Sequence, residues 1–298
     1  MELIRAKKSL GQNFLVDNNI SRKIVELLDI QSDDIIIEIG PGTGALTQFI
    51  LNHTMSNSLT YLGIEIDQRA IANLKENFIE FENENINVIK NDFLKFDLFE
   101  YINSHCGDTD SDIVDGKVKR NIKRKIKIIG NIPYNISSQI FFKLFELSDY
   151  INVSIIMIQR ELAQRIIAKN KSKDYGILTV ALSICGTSKI ELKVPRTCFL
   201  PQPNVDSAVL KIKYYERKKA DFSKFQKLNR AAFNQRRKML SNSLKNILTS
   251  TSVEFYKKLV RENYKNYFNK RPEQLSTEDF LDLYNHINQE LKSFNQKQ

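Results

Sequence analysis

The chain has 298 residues, 42% hydrophobic and 27% charged, a balance that excludes wholesale disorder and leaves room for one large domain or two. No run reaches the roughly 18 consecutive apolar residues of a membrane span, and the basic start Met1–Lys8 leads into Ser9–Phe14 without an apolar core, so neither a membrane protein nor a secretory signal is expected. Three cysteines (Cys106, Cys185, Cys198) and three histidines (His53, His105, His286) are scattered without ligand spacing, which predicts a reducing, cytoplasmic setting with no disulfide framework and no metal.

In chain order, helical spacing over Ser21–Leu28 precedes an isoleucine-rich strand at Ile35–Ile39. Strands then follow at Leu59–Ile66, Ile86–Ile89, Ile126–Ile129, Val153–Ile158, Lys189–Val194 and Ala208–Lys213, with helical patterns over Gln68–Phe78, Ser138–Leu147 and Arg160–Lys169 between them. Seven strands spaced by helices predict an α/β domain, a mainly parallel sheet covered on both faces, over residues 1–215. Such sheets hold ligands beyond the carboxyl ends of their strands. Asn103–Lys125 interrupts the pattern with an acidic half and a basic half, and reads as an exposed loop.

After Tyr215 the strand signals stop. Phe222–Phe233, Arg236–Leu248, Val253–Tyr264 and a helix after Pro272, with Ser276 and Asp279 as a capping box, predict a small all-helical domain over 216–298. The net charge of +10 is concentrated there: residues 216–298 carry 18 Lys and Arg against 9 Asp and Glu, while the first 215 residues carry 27 against 26. A localised basic surface is the footprint of a nucleic-acid partner, although a solvated lysine-rich face has the same composition.

The chemistry-bearing motifs fall after the strands. Glu38-Ile-Gly-Pro-Gly-Thr-Gly44 follows the first predicted strand of the sheet, and Gly40, Gly42 and Gly44 let backbone approach a nucleotide-like ligand. Gly40, Gly42 and Ala45 also fit a dinucleotide fingerprint, so the loop alone leaves the ligand open. Glu65 ends the second strand where a carboxylate accepts from ribose hydroxyls, with Asp67 as a competitor. Asp92, after the third strand, is placed to accept from the amine of adenine, though Asn91-Asp92 is also ordinary turn chemistry. Asn131-Ile-Pro-Tyr134 follows the fourth strand. An adenine amine is a poor nucleophile because its lone pair is delocalised, so catalysis needs acceptors that orient it, here the Asn131 side-chain carbonyl and the Ile132 backbone carbonyl. Pro133 fixes the turn, and Tyr134 offers a face for a flipped base.

The order Gly11-Gln-Asn-Phe-Leu15, Glu38–Gly44, Glu65, Asp92, Asn131–Ser137, Phe199-Leu-Pro-Gln-Pro-Asn-Val-Asp-Ser207 and Ala232-Phe-Asn-Gln-Arg-Arg-Lys238 resembles the S-adenosylmethionine-dependent ribosomal RNA adenine dimethyltransferases, closest to their small-subunit branch. The resemblance implies a Rossmann-like methyltransferase fold and places cofactor contacts at Asn13, Leu15, Gly40, Gly42, Glu65, Asp92 and Asn131. It implies catalytic roles for Asn131, Pro133 and Tyr134, and for Phe199 as an aromatic flanking the target base from the other side. Arg236, Arg237 and Lys238 are the candidate RNA contacts. The implied reaction dimethylates the exocyclic amines of two adjacent adenosines near the 3′ end of 16S ribosomal RNA, in a small-subunit particle, by a cytoplasmic monomer. Three alternatives stand beside it: a large-subunit adenine methyltransferase of the macrolide-resistance type, a non-catalytic assembly or transcription factor on the same fold, and a dinucleotide oxidoreductase. The Asn103–Lys125 segment looks longer than the family usually has there.

Overall fold

The computed structural model describes residues 6–7, 10–53, 59–78, 83, 85–106, 111–114, 117–120 and 126–296. The elements of the first part are β1 (Phe14–Leu15), α1 (Asn18–Glu26), β2 (Ile35–Ile39), α2 (Thr47–Leu51), β3 (Thr60–Glu65), α3 (Gln68–Asn77), β4 (Ile86–Lys90), α4 (Leu98–Cys106), β5 (Ser111–Val114), β6 (Lys117–Arg120), β7 (Ile126–Asn131), α5 (Ser137–Glu146), β8 (Ile151–Gln159) and α6 (Arg160–Ile166). They are followed by α7 (Ile177–Ser183), β9 (Gly186–Val194), β10 (Phe199–Leu200), β11 (Ser207–Tyr214), α8 (Phe222–Asn234), α9 (Leu240–Ser243), α10 (Lys245–Thr249), α11 (Val253–Glu262) and α12 (Thr277–Asn295).

All seven expected strands join one sheet in the order β4-β3-β2-β7-β8-β11-β9. β2 pairs in parallel with β3 and β7, β3 with β4, and β7 with β8, while β11 runs antiparallel to β8. Every residue of β2 is buried, as a central strand covered on both faces requires, and its isoleucines fit that pleated, dry setting. The parallel register brings Ile39, Glu65 and Asn131 to one edge of the sheet. Because β11 is reversed, its first residue, Ser207, reaches that same edge opposite Gln159.

Three expectations need correction. Where the Asn103–Lys125 segment is described it is not a loop: α4 continues to Cys106, and β5 pairs antiparallel with β6, with Ile113 opposite Val118 and Asp112 opposite Lys119 in the register, while 107–110, 115–116 and 121–125 lie outside the described residues. The helix expected over Arg236–Leu248 is broken: Gln235 leaves helical geometry at φ −125° and ψ 53°, Met239 is extended, and α9 and α10 follow as separate short helices.

The third correction concerns domain organisation. The chain divides into two compact units, one of Met1–Ala163 with Ser188–Glu216 and one of Gln164–Thr187 with Arg217–Gln298. The break after Glu216 lies one residue from the expected one. Residues 164–187, however, belong with the helical unit. Asn229 Nδ2 donates to the Ile177 carbonyl at 2.9 Å, the Tyr175 and Phe233 rings lie 6.0 Å apart, and the Lys171 N–H donates to the Glu273 carbonyl at 2.8 Å. Sequence spacing carries no trace of these contacts, since their partners lie far along the chain. The helical unit has its own core, with Tyr175, Phe225, Phe255, Phe268 and Phe280 buried and Phe233 stacked on Phe280. Ser276 caps α12 with Asp279 in the reciprocal arrangement expected. Among the described residues no helix is long and apolar enough to cross a membrane, and no group of His, Cys, Asp or Glu could hold a metal ion.

Candidate active site

The turn after β2 is built by glycines with positive φ: Gly40 at 64°, Gly42 at 57° and Gly44 at 84°. At Gly44 a Cβ would also lie 2.7 Å from Phe78 and 2.9 Å from Leu74, so only glycine lets this backbone pass under α3. At Gly42 it would stand 3.2 Å from the Phe14 ring, which closes the turn from above. The carboxylate at the end of β3 holds the turn open. Glu65 Oε2 accepts from the Gly42 N–H at 2.9 Å, and Oε1 accepts from the N–H groups of Ile66 and Asp67, each at 2.9 Å. Burial raises the Glu65 carboxyl above its ordinary range against those backbone donors.

The competition between Glu65 and Asp67 is resolved by their partners. Asp67 caps α3 through the Arg69 N–H, is paired with the Arg69 guanidinium at 2.6 Å and receives Gln12 Nε2 at 3.3 Å. That hydrogen bonding holds its carboxyl well below the usual range. Glu65, not Asp67, lines the cavity.

That cavity, about 260 Å³, lies beyond the carboxyl ends of β2, β3, β4 and β7 and is lined by Asn13, Leu15, Gly40, Gly42, Glu65, Asp92, Asn131, Pro133 and Tyr134 among others. The Asp92 loop is tied down twice. Asp92 Oδ1 accepts from the Leu94 N–H at 2.9 Å, and the Lys143 ammonium on α5 donates to the carbonyls of Phe93 at 2.6 Å, Leu94 at 3.2 Å and Phe96 at 2.5 Å. Asn131 Nδ2 donates to the Asn13 carbonyl at 2.9 Å, which leaves the side-chain Oδ1 as the acceptor. Pro133 presents its carbonyl to Ser137 Oγ at 2.9 Å, and the Tyr134 hydroxyl shares a 2.7 Å hydrogen bond with Ser207 Oγ.

Two side chains that line or support the cavity were not singled out by sequence reasoning. Glu38 is an acid inside a run of buried isoleucines; it accepts from the Tyr61 hydroxyl at 2.7 Å and Thr47 Oγ1 at 2.8 Å, and burial pushes its carboxyl up to about 7. An acid within an otherwise apolar central strand was the available signal. Lys143 gave none, since a lysine on an amphipathic helix is ordinarily solvated.

Four expected site residues behave differently from one another. Phe199 does not line the cavity: it is 3% exposed, opposite Leu15 across the β1–β10 pair, and packs in the core with Leu15 and Val25. Its apolar ring gains more from that burial than from the cavity mouth. Arg236 is also withdrawn, with Nε 2.8 Å from Glu273 Oε2 and the other two nitrogens on the carbonyls of Lys173 and Ser172 at 2.8 and 3.1 Å. Arg237 and Lys238 stand exposed in the helical unit.

The sequence matches the ribosomal RNA adenine dimethylase family over residues 4–289. The chain belongs to that family. Among its relatives, the ribosomal RNA small subunit methyltransferase A of Francisella tularensis subsp. novicida (strain U112) is 40% identical over 285 residues, covering 95% of this chain and 98% of the relative. A dimethyladenosine transferase from Plasmodium falciparum superposes with a TM-score of 0.74 at 26% identity, covering 93% of this chain and 98% of that one. The 23S rRNA methyltransferase ErmE shares the fold, with a TM-score of 0.60 at 22% identity over 93% of this chain and all of its own. Membership makes the protein an adenine methyltransferase whose methyl donor is S-adenosylmethionine. The cavity fits that group: its lining combines a glycine turn at positive φ, where a Cβ at Gly42 would crowd the Phe14 ring, with the carboxylates of Glu65 at the end of β3 and Asp92 just after β4.

Proposed function

We propose that the protein dimethylates the exocyclic amino groups of two adjacent adenosines near the 3′ end of 16S ribosomal RNA, in a small-subunit particle, as a cytoplasmic monomer. The glycine turn, Asn13 and Leu15 would hold the methionine part of S-adenosylmethionine, Glu65 its ribose and Asp92 its adenine. The bound donor supplies an electrophilic methyl group with a neutral thioether as leaving group.

The chain's own residues prepare the amine. Asn131 Oδ1 and the Ile132 carbonyl accept the two amino hydrogens, which takes the nitrogen lone pair out of conjugation with the ring and turns it toward the donor. The nitrogen releases one proton after transfer, and no strong base is needed because the product amine is a weak one. Tyr134 gives the extruded base a stacking face. The observation that supports this reading is the Asn131–Asn13 hydrogen bond, which occupies the donor end of the amide and leaves Oδ1 as its acceptor.

RNA docking falls to the helical unit. Residues 164–187 and 217–298 together carry 22 Lys and Arg against 9 Asp and Glu, while the sheet-bearing unit carries 23 against 26. Such a surface binds phosphates and RNA shape, leaving base identity to be read at the cavity. The test is transfer of labelled methyl groups from S-adenosylmethionine into isolated small subunits that lack the modification, with large subunits as control. Label appearing in large subunits alone would overturn the substrate assignment.

A further inference from the structure

The aromatic residue of the Phe199–Ser207 segment turns into the core. The segment's contact with the reacting region is made at the other end. Ser207 opens β11, the reversed strand of the sheet, and reversal delivers this residue to the edge where the parallel strands end. There Ser207, fully buried, places Oγ 2.7 Å from the Tyr134 hydroxyl, 73 residues earlier in the chain.

Tyr134 is half-buried and lines the cavity, and it follows Pro133 in a turn anchored by Ser137 Oγ on the Pro133 carbonyl. The turn fixes the Tyr134 backbone. It leaves the ring free to rotate about two side-chain torsions, and a ring swung by one rotamer no longer faces the cavity. A hydroxyl held from a buried, immobile strand end removes that freedom.

We infer that Ser207 is a positioning residue for methyl transfer, holding the Tyr134 ring in the orientation that stacks the target adenine. This rests on the proposed adenine-methylating function. Ser207 touches neither base nor cofactor; it acts through Tyr134.

The test measures single-turnover methyl transfer into unmodified small subunits at saturating S-adenosylmethionine, for wild type, Ser207→Ala, Tyr134→Phe and the double variant. Affinity for S-adenosylhomocysteine is measured in parallel. A lost neutral hydrogen bond corresponds to a rate loss of about three- to tenfold. Each single variant is expected to slow by that factor, and the double variant no further. S-Adenosylhomocysteine affinity and the KM for subunits should stay within about twofold of wild type, which a general loss of packing would not allow. The inference is overturned if Ser207→Ala transfers within twofold of the wild-type rate, or if it slows the Tyr134→Phe protein by the same factor again. Should Ser207→Ala fail to fold, Tyr134→Phe decides alone: a rate within twofold of wild type rejects the inference. Failure of the underlying function looks different, because the wild type itself would then leave small subunits unlabelled.

Discussion

Asn131 carries a donor end and an acceptor end on one side chain, and only the acceptor serves an amine that must be oriented through its hydrogens. The Asn13 carbonyl sorts the two ends by taking the donor. Asn131→Ala is therefore expected to slow single-turnover transfer by about 10²–10³-fold at saturating S-adenosylmethionine, with particle binding largely kept. Glu38 makes a second prediction at this scale. Its carboxyl is raised from 4.5 to about 7 by burial, so between those pH values the folded protein binds more protons than the unfolded chain. Stability contributed by this group is present at low pH and falls as pH rises through the window, by as much as about 3 kcal/mol. Urea unfolding at several pH values should show that slope flattened in Glu38→Gln, whose amide does not titrate. An unchanged slope would assign the pH dependence to other groups.

Between elements, α5 deserves its place because it does two things at once. Its first turn follows Asn131–Tyr134, and one further turn on, Lys143 clamps the loop after β4 through three backbone carbonyls. Replacing Lys143 by Met keeps the aliphatic stem and leaves those carbonyls without their donor. The expected outcome is about tenfold weaker S-adenosylhomocysteine binding by calorimetry and a loss of about 1–3 kcal/mol in stability, because the Asp92 end of the cavity loosens. The strands themselves were legible in the sequence: runs such as Ile35–Ile39 have the β-branched content of buried parallel strands, and each joined the sheet. β1 and β10 were not, since two-residue strands have no periodicity to read. The spacing over 236–248 is helical, but the backbone leaves helical geometry at Gln235 and Met239, where the Leu240 and Ser241 N–H groups bond to the carbonyls of Lys270 and Phe268, partners the spacing does not show.

Across the whole molecule, the basic charge gathers in one unit more completely than the linear sequence suggests, because residues 164–187 bring Arg165, Lys169, Lys171 and Lys173 to it. The Arg236-Arg237-Lys238 cluster then divides by function. Arg237→Ala with Lys238→Ala should lower the salt dependence of particle binding by up to about two units of slope, with the thermal midpoint unchanged. Arg236→Ala should instead cost about 1 kcal/mol of stability in thermal unfolding, since it removes a half-exposed ion pair and two hydrogen bonds to carbonyls. Equal effects of the two variants on salt slope would return Arg236 to the RNA surface.

The sequence by itself determined the sheet, the glycine turn, the positions of Glu65, Asp92 and Asn131 at or just beyond successive strand ends and the separation of a basic helical part. Each of these rests on local physics: β-branched runs, backbone at positive φ, and the rule that ligands meet parallel sheets at strand ends. Only the tertiary structure decided that Phe199 serves the core, that Arg236 is spent within its own unit, and that Ser207 reaches Tyr134. Those outcomes depend on partners far along the chain, Leu15 for Phe199 and, 73 residues away, Tyr134 for Ser207, and a side chain's choice between core, ion pair and cavity is set by which neighbour the fold brings within hydrogen-bonding or van der Waals reach.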